Sequence, residues 1–207
     1  MDTEGKGIAA LTETGVVANG KEYPLDIIIW GTGYGSPLTD SLAGKAEMTV
    51  IGKNGADMDK LFKEGEVHTL HGIFTNDFPN IFSLGLSQAG LGVNQTQRLD
   101  DMSKHVAYTI CEARKKAGSE NVIIEADRAA TDKWADEILS QAYLLSGFGV
   151  CTPGYFTLEG DIERVSPEQA VKIGKSTVYG RGYTRYAQIL KEWEQQGGLE
   201  GLKIVAA

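Results

Sequence analysis

Asp26-Ile27-Ile28-Ile29-Trp30-Gly31-Thr32-Gly33-Tyr34-Gly35-Ser36-Pro37 decides how the chain is read. A short β-branched apolar run closed by glycines has the composition of a strand buried on both faces of a sheet. Asp26 to Trp30 is therefore expected as a central strand. The glycines behind it nearly make a dinucleotide fingerprint, but Ser36 stands where the third glycine belongs. That glycine lets a helix pack closely with its N-terminus toward a pyrophosphate, and Ser36-Pro37 leads instead into a segment of little helical pattern. The loop alone is not expected to hold a dinucleotide.

Working outward, Gly15 to Tyr23 reads as a hairpin around Asn19-Gly20, a strong turn signal. Gly35 to Gly65 is rich in glycine, lysine and aspartate and reads as loop with one short helix near Asp57 to Lys63. A strand pair, Glu66 to Phe74 and Asn80 to Leu84, is expected across the Asn76-Asp77-Phe78-Pro79 turn. From about Asn94 to Lys116, the spacing of Leu99, Met102, Val106 and Ile110 predicts an amphipathic helix. Thr131 to Ser146 follows as a second helix, with Trp134, Ile138, Leu139, Ala142 and Leu145 on one stripe and Gly147 as its stop. Ser166-Pro167-Glu168-Gln169 is a capping box opening a helix to Gly174. Thr184 to Gln196 is the last helix, burying Tyr186, Ile189, Leu190 and Trp193 before Gly197. The fold class is α/β or α+β, one domain over 1–207, strand-rich over 1–93 and mainly helical over 94–207.

The 207 residues, 42% of them hydrophobic, suffice for a real core. A net charge of -8 lacks the basic footprint that nucleic acid or an anionic membrane surface requires. With no apolar run of about 18 residues and no apolar stretch behind Met1, the chain is expected to be cytoplasmic and not membrane-bound. Cys111 and Cys151 are too few for a disulfide framework and are expected as thiols. The Met start favours an independently ordered protein.

Three segments, Trp30-Gly31-Thr32-Gly33-Tyr34, Phe78-Pro79-Asn80-Ile81-Phe82 and Cys151-Thr152-Pro153-Gly154-Tyr155, together resemble the C-terminal part of flavin-dependent monooxygenases of the Baeyer–Villiger type. The resemblance runs over about 7–204. It implies a truncated FAD/NAD(P)-binding-like fold with a small sheet and several packed helices. Gly31 replaces the usual alanine, and Leu86 stands where relatives have a proline beside the flavin. A complete enzyme of that family also needs FAD and NADP fingerprints and a histidine-containing signature, none of which this sequence contains. No cofactor is therefore expected on the chain itself, with FAD and NADP entering only if a partner supplies those parts.

The resemblance makes Gln88-Ala89-Gly90-Leu91-Gly92-Val93-Asn94 a candidate pocket wall, since glycines allow close backbone approach. A plain strand-to-helix turn is the equal alternative. Gln88, Gly90, Leu91, Asn94, Tyr155 and Tyr183 are the candidate substrate-binding residues. Asn94, Arg98, Asp101 and His105 are spaced by four, three and four residues and share one helix face. Asp101 could orient His105 as a general acid or base while Arg98 holds an enolate or carboxylate. The plainer alternative is a solvated face with an ordinary ion pair. His68 and His71, three apart on an expected strand, are not expected to share a metal, and Cys151 has no visible basic neighbour to make it a nucleophile.

Two function classes follow. One is a stand-alone protein of secondary metabolism that isomerises, cyclises or dehydrates a polyketide-like or terpenoid-like molecule without a cofactor. The other is a non-autonomous piece that docks on an N-terminal flavin-binding partner; a non-catalytic ligand-binding protein is a third reading. A homo-oligomer is expected in the first case, because apolar surface and strand edges must be covered.

Overall fold

The computed structural model describes residues 3, 7–31, 41–65, 68–144 and 165–207. The chain divides into two compact units, one comprising Met1–Pro37 with Phe148–Arg164 and the other Leu38–Gly147 with Val165–Ala207. All pairings between named strands are antiparallel, giving a mixed α/β fold of small sheets and packed helices.

In the first unit, β1 (Ala10–Leu11), β2 (Gly15–Ala18) and β3 (Lys21–Pro24) form a meander. Asn19 and Gly20 have φ of 50° and 71°, the positive values a two-residue hairpin loop demands. The expected hairpin is therefore present. The expected central strand is not. Asp26–Trp30 lies outside any strand, with Ile27 78%, Ile29 90% and Trp30 60% exposed. A central strand needs a partner on each edge, and no described residue pairs with this run.

In the second unit, α1 (Leu42–Lys45) precedes α2 (Met58–Glu64). Asp57, expected within α2, is instead its N-cap, accepting from the amides of Asp59 and Lys60. The expected strand Glu66 to Phe74 is broken. β4 (Thr69–Leu70) and β5 (Phe74–Thr75) pair with each other across a turn in which His71 and Gly72 have φ of 59° and 74°. Of the expected strand Asn80 to Leu84, only Phe82 makes a bridge, to Phe74.

α3 (Gln95–Ala117) is the long amphipathic helix, capped by Asn94 and closed by Gly118 in the left-handed region. α4 (Arg128–Gln141) begins three residues before the expected Thr131 because Asp127 caps it, accepting from Ala129 N at 2.9 Å. The end expected at Ser146 lies outside the described residues. α5 (Pro167–Ser176) has the capping box in full: Gln169 N donates to Ser166 Oγ, and Ser166 N donates to Gln169 Oε1. It runs past Gly174, its expected end. α6 (Gly182–Gln196) stops at Gly197, as the sequence led one to expect.

Two strands were not anticipated. β6 (Val122–Ala126) and β7 (Leu202–Ala206) pair along five residues, from Val122 with Ala206 to Ala126 with Leu202. On the other edge of β6, Asn80 stands in for a strand: its amide donates to Ile124 O, its Oδ1 accepts from Ile124 N, and its Nδ2 donates to Val122 O. The core between the helices and this ribbon contains Met102, Ile124, Trp134, Ile138, Tyr186, Leu190 and Trp193.

Candidate functional site

The expected pocket wall, 88–94, is held from beneath by side chains of its own unit. Gln88 has φ of 58° and no exposure. Its Oε1 accepts from Thr69 N at 2.7 Å and Thr69 Oγ1 at 2.5 Å, and its Nε2 donates to Lys175 O at 2.7 Å. Its main chain donates to Thr177 O and accepts from Trp134 Nε1. With both ends of the amide engaged, Gln88 ties β4, the end of α5 and α4 together; it does not present its side chain to a substrate.

Gly90 and Gly92 are close approaches of another kind. A Cβ on Gly90 would lie 2.7 Å from the Tyr186 ring, and one on Gly92 3.0 Å from Tyr183. Their space is filled by the chain's own aromatics. Gly90→Ala is accordingly expected to cost about 1–3 kcal/mol, the usual range for overpacking, read as a lowered midpoint of urea unfolding. Leu91, Val93 and Asn94 are the members of this loop that face outward. The Asn94 side chain is occupied in capping α3, accepting from Gln97 N at 3.0 Å and Thr96 Oγ1 at 2.8 Å.

The stripe on α3 has three destinations. Arg98 is 1% exposed and turns back onto the loop, where Nη1 donates to Gly85 O at 2.5 Å and Nε to Gln95 Oε1 at 3.3 Å. Burial lowers its pKa. No carboxylate among the described residues lies within ion-pair distance of it. Asp101 accepts from the Tyr183 hydroxyl on α6 and from Gln97 Nε2. Burial, reinforced by the Asp101 hydrogen bond, pushes the Tyr183 phenol up to about 12.

His105 does not pair with Asp101. It is fully buried, and its Nδ1–H donates to Glu194 Oε1 at 2.7 Å. Burial lowers the His105 pKa against the opposing effect of Glu194. The shared helix face expected from spacing is real, but the Asp–His dyad is replaced by a Glu–His dyad across α3 and α6. Tyr155 and Cys151 lie outside the described residues. His68 and His71 do not share a site: His68 pairs with Asp132 at 2.6 Å, and His71 packs among His105, Trp134 and Trp193.

Sequence reasoning missed Glu194 and His71 as neighbours of His105. The Tyr186-Ile189-Leu190-Trp193 stripe identified the buried face of α6. Nothing local indicated that Glu194, beside it, would meet a histidine 89 residues away. Two open depressions, of 520 and 450 Å³, are lined by none of the candidate site residues.

The chain matches, over 99% of its length and at 37% identity, the FAD-binding monooxygenase ausC of Aspergillus calidoustus. It matches pentalenolactone D synthase of Streptomyces exfoliatus at 36% identity over the same share. Among solved structures, the polycyclic ketone monooxygenase of Thermothelomyces thermophila superposes on the whole chain with a TM-score of 0.82 at 32% identity. The chain is similar to the C-terminal portion of Baeyer–Villiger flavin monooxygenases. It spans about a third of these proteins: 31% and 33% of the two curated relatives and 32% of the solved one. Cyclohexanone monooxygenase from Rhodococcus sp. Phi1, at 20% identity and a TM-score of 0.67, shares the fold. No protein-family profile matches the chain.

Gly33 and Gly35, which complete the loop begun at Gly31, lie outside the described residues. Gly90 and Gly92 are backed by Tyr186 and Tyr183, while Gly31 opens on no atom within 4 Å. At Gly90 and Gly92 the space a ligand would need is filled by the chain's own rings, and at Gly31 it is open.

Proposed function

We propose that this chain acts as the C-terminal portion of a flavin-dependent Baeyer–Villiger monooxygenase of secondary metabolism, together with FAD- and NADP-binding segments outside it. The observation that carries the reading is the run Asp26–Trp30. Its apolar side chains have the composition of a sheet interior yet stand in solvent, Ile27 at 78% and Ile29 at 90% exposure. Several such neighbours are a surface that another segment covers. The similarity to proteins three times as long supports the same reading.

The proposed substrate is a polycyclic or terpenoid-like ketone, the class suggested by the polycyclic ketone monooxygenase among the similar structures. In this reading the chain contributes the loop 88–94 as substrate wall, with Leu91 and Val93 turned outward. Gln88 anchors that loop to Thr69 and Lys175, and Arg98 holds the turn before it at Gly85. Oxygen-transfer chemistry belongs to the flavin held elsewhere. A cofactor-free acid–base role draws less support, because its base, His105, has no exposure and is committed to Glu194.

The test is reconstitution. The purified chain is mixed with the FAD- and NADP-binding portion of the 37% identical relative, and visible absorbance and ketone-dependent NADPH oxidation are recorded. Flavin absorbance and oxidation are expected only with both portions present. Ketone turnover by the colourless chain alone would move the assignment to the cofactor-independent reading. A homo-oligomer that buries Ile27–Trp30 and never binds the added portion would also defeat the proposal.

A further inference from the structure

The centre of the second unit contains an arrangement that the proposed function does not use. His105 donates its Nδ1–H to the Glu194 carboxylate, which in the neutral ring leaves Nε2 as an acceptor, and that atom is buried without a partner. His71 is 4% exposed, and its Nδ1 is likewise buried and unpartnered. The two rings lie 5.5 Å apart between centroids, at 61°.

Aromatic rings wall them in. Trp134 lies 5.2 Å from His71, and Trp193 lies 5.6 Å from His71 and 5.0 Å from His105. Neither indole can serve the orphaned nitrogens. Trp134 Nε1 donates to Gln88 O at 3.0 Å, and Trp193 Nε1 to Glu200 O at 2.9 Å.

A buried polar atom left unpaired costs about 1–3 kcal/mol, and neighbouring orphans of this kind in folded proteins are commonly met by an internal water. Two hydrogen bonds of about 2.8 Å through one oxygen span roughly 4.5 Å. Both orphaned nitrogens belong to rings that are neighbours in the core, 5.5 Å apart between centroids. A zinc-like cation fits less well, since it takes three or four protein ligands. Among the described residues no group of three His, Cys, Asp or Glu side chains could hold a metal ion.

We propose that one internal water bridges His71 Nδ1 and His105 Nε2, completing a hydrogen-bonded path from Glu194 to the middle of the core. Glu194 is 29% exposed at its side chain and so reaches solvent. The water donates to His105 Nε2 and, through its second hydrogen or a lone pair, satisfies His71 Nδ1 in whichever tautomer it holds. Protons can then exchange between solvent and His71 along Glu194, His105 and the water without the core opening.

A crystal structure of the folded protein at near-atomic resolution tests this. The expected result is an isolated oxygen peak within about 3 Å of both nitrogens. Direct contact between the rings, no peak, or an anomalous metal peak there would overturn the proposal. In solution, nitrogen-15 spectra should report His105 protonated at Nδ1, with magnetisation transfer from a long-lived water to the ring protons of both histidines. His71→Phe should abolish the transfer to His105, and unchanged transfer would count against the bridge. Should that variant not fold, the parent protein's crystal structure and spectra decide alone.

Discussion

Lowering the pH from about 6.5 to about 3 is expected to strip about 4 kcal/mol of folding stability from this protein through His71 alone. The imidazole is enclosed by Trp134, Trp193 and His105, and burial, with the His105 charge as the smaller cause, lowers its pKa from 6.5 to about 3. The unfolded chain therefore binds a proton in this window that the folded protein refuses. Stability contributed by neutral His71 is complete above the unfolded value of 6.5 and falls by about 1.4 kcal/mol per pH unit until the folded value is reached. His105, also lowered by burial, adds in the same direction. Urea midpoints between about pH 6 and about pH 5, above the ordinary range of carboxylates, isolate the histidines. His71→Asn, chosen because asparagine tolerates the 59° φ at this position, should flatten the dependence. A parent protein whose midpoint does not move in that window would contradict the argument.

Gln88→Ala is expected to cost about 3–5 kcal/mol. Truncation leaves Thr69 N buried and Lys175 O part-buried without their partner and opens a void where the amide was. Gln88→Glu should be nearly as costly. It keeps the shape but turns a buried carboxylate oxygen toward Lys175 O, which can only accept. The measurement is chemical denaturation of both variants beside the parent. A loss below about 1 kcal/mol for Gln88→Ala would mean that the loop is held by the main-chain bonds to Thr177 and Trp134, not by the side chain.

The helices were legible because their signals are local. Asn94 and Gly118, Ser166 with Gln169, and Gly197 mark ends within a few residues of the apolar stripes they bound. The strands were not, for a physical reason: a strand is defined by its partner. Asp26–Trp30 has the composition of a central strand and pairs with nothing described, whereas Val122–Ala126 passed unnoticed because Leu202–Ala206, which completes it, lies beyond α4, α5 and α6 in the sequence. His71 was expected on a strand, but a turn at positive φ carries it into the core. The α3 face was similarly half-readable. Its spacing put Asp101 and His105 together, but periodicity does not say what stands opposite, and Glu194 and Tyr183 on α6 claimed them separately.

The pairing of β6 with β7 also sets an order of assembly. Val122 meets Ala206 and Ala126 meets Leu202, so the ribbon joins segments that three helices separate in the sequence. Closing so long a loop costs entropy before any ladder bond is returned, which makes such pairings late and slow. During synthesis, Val122–Ala126 leaves the ribosome with Asn80 available for one edge and no strand for the other. The ribbon closes only after translation has passed Ala206, so losing Leu202–Ala206 would strand β6 without its partner.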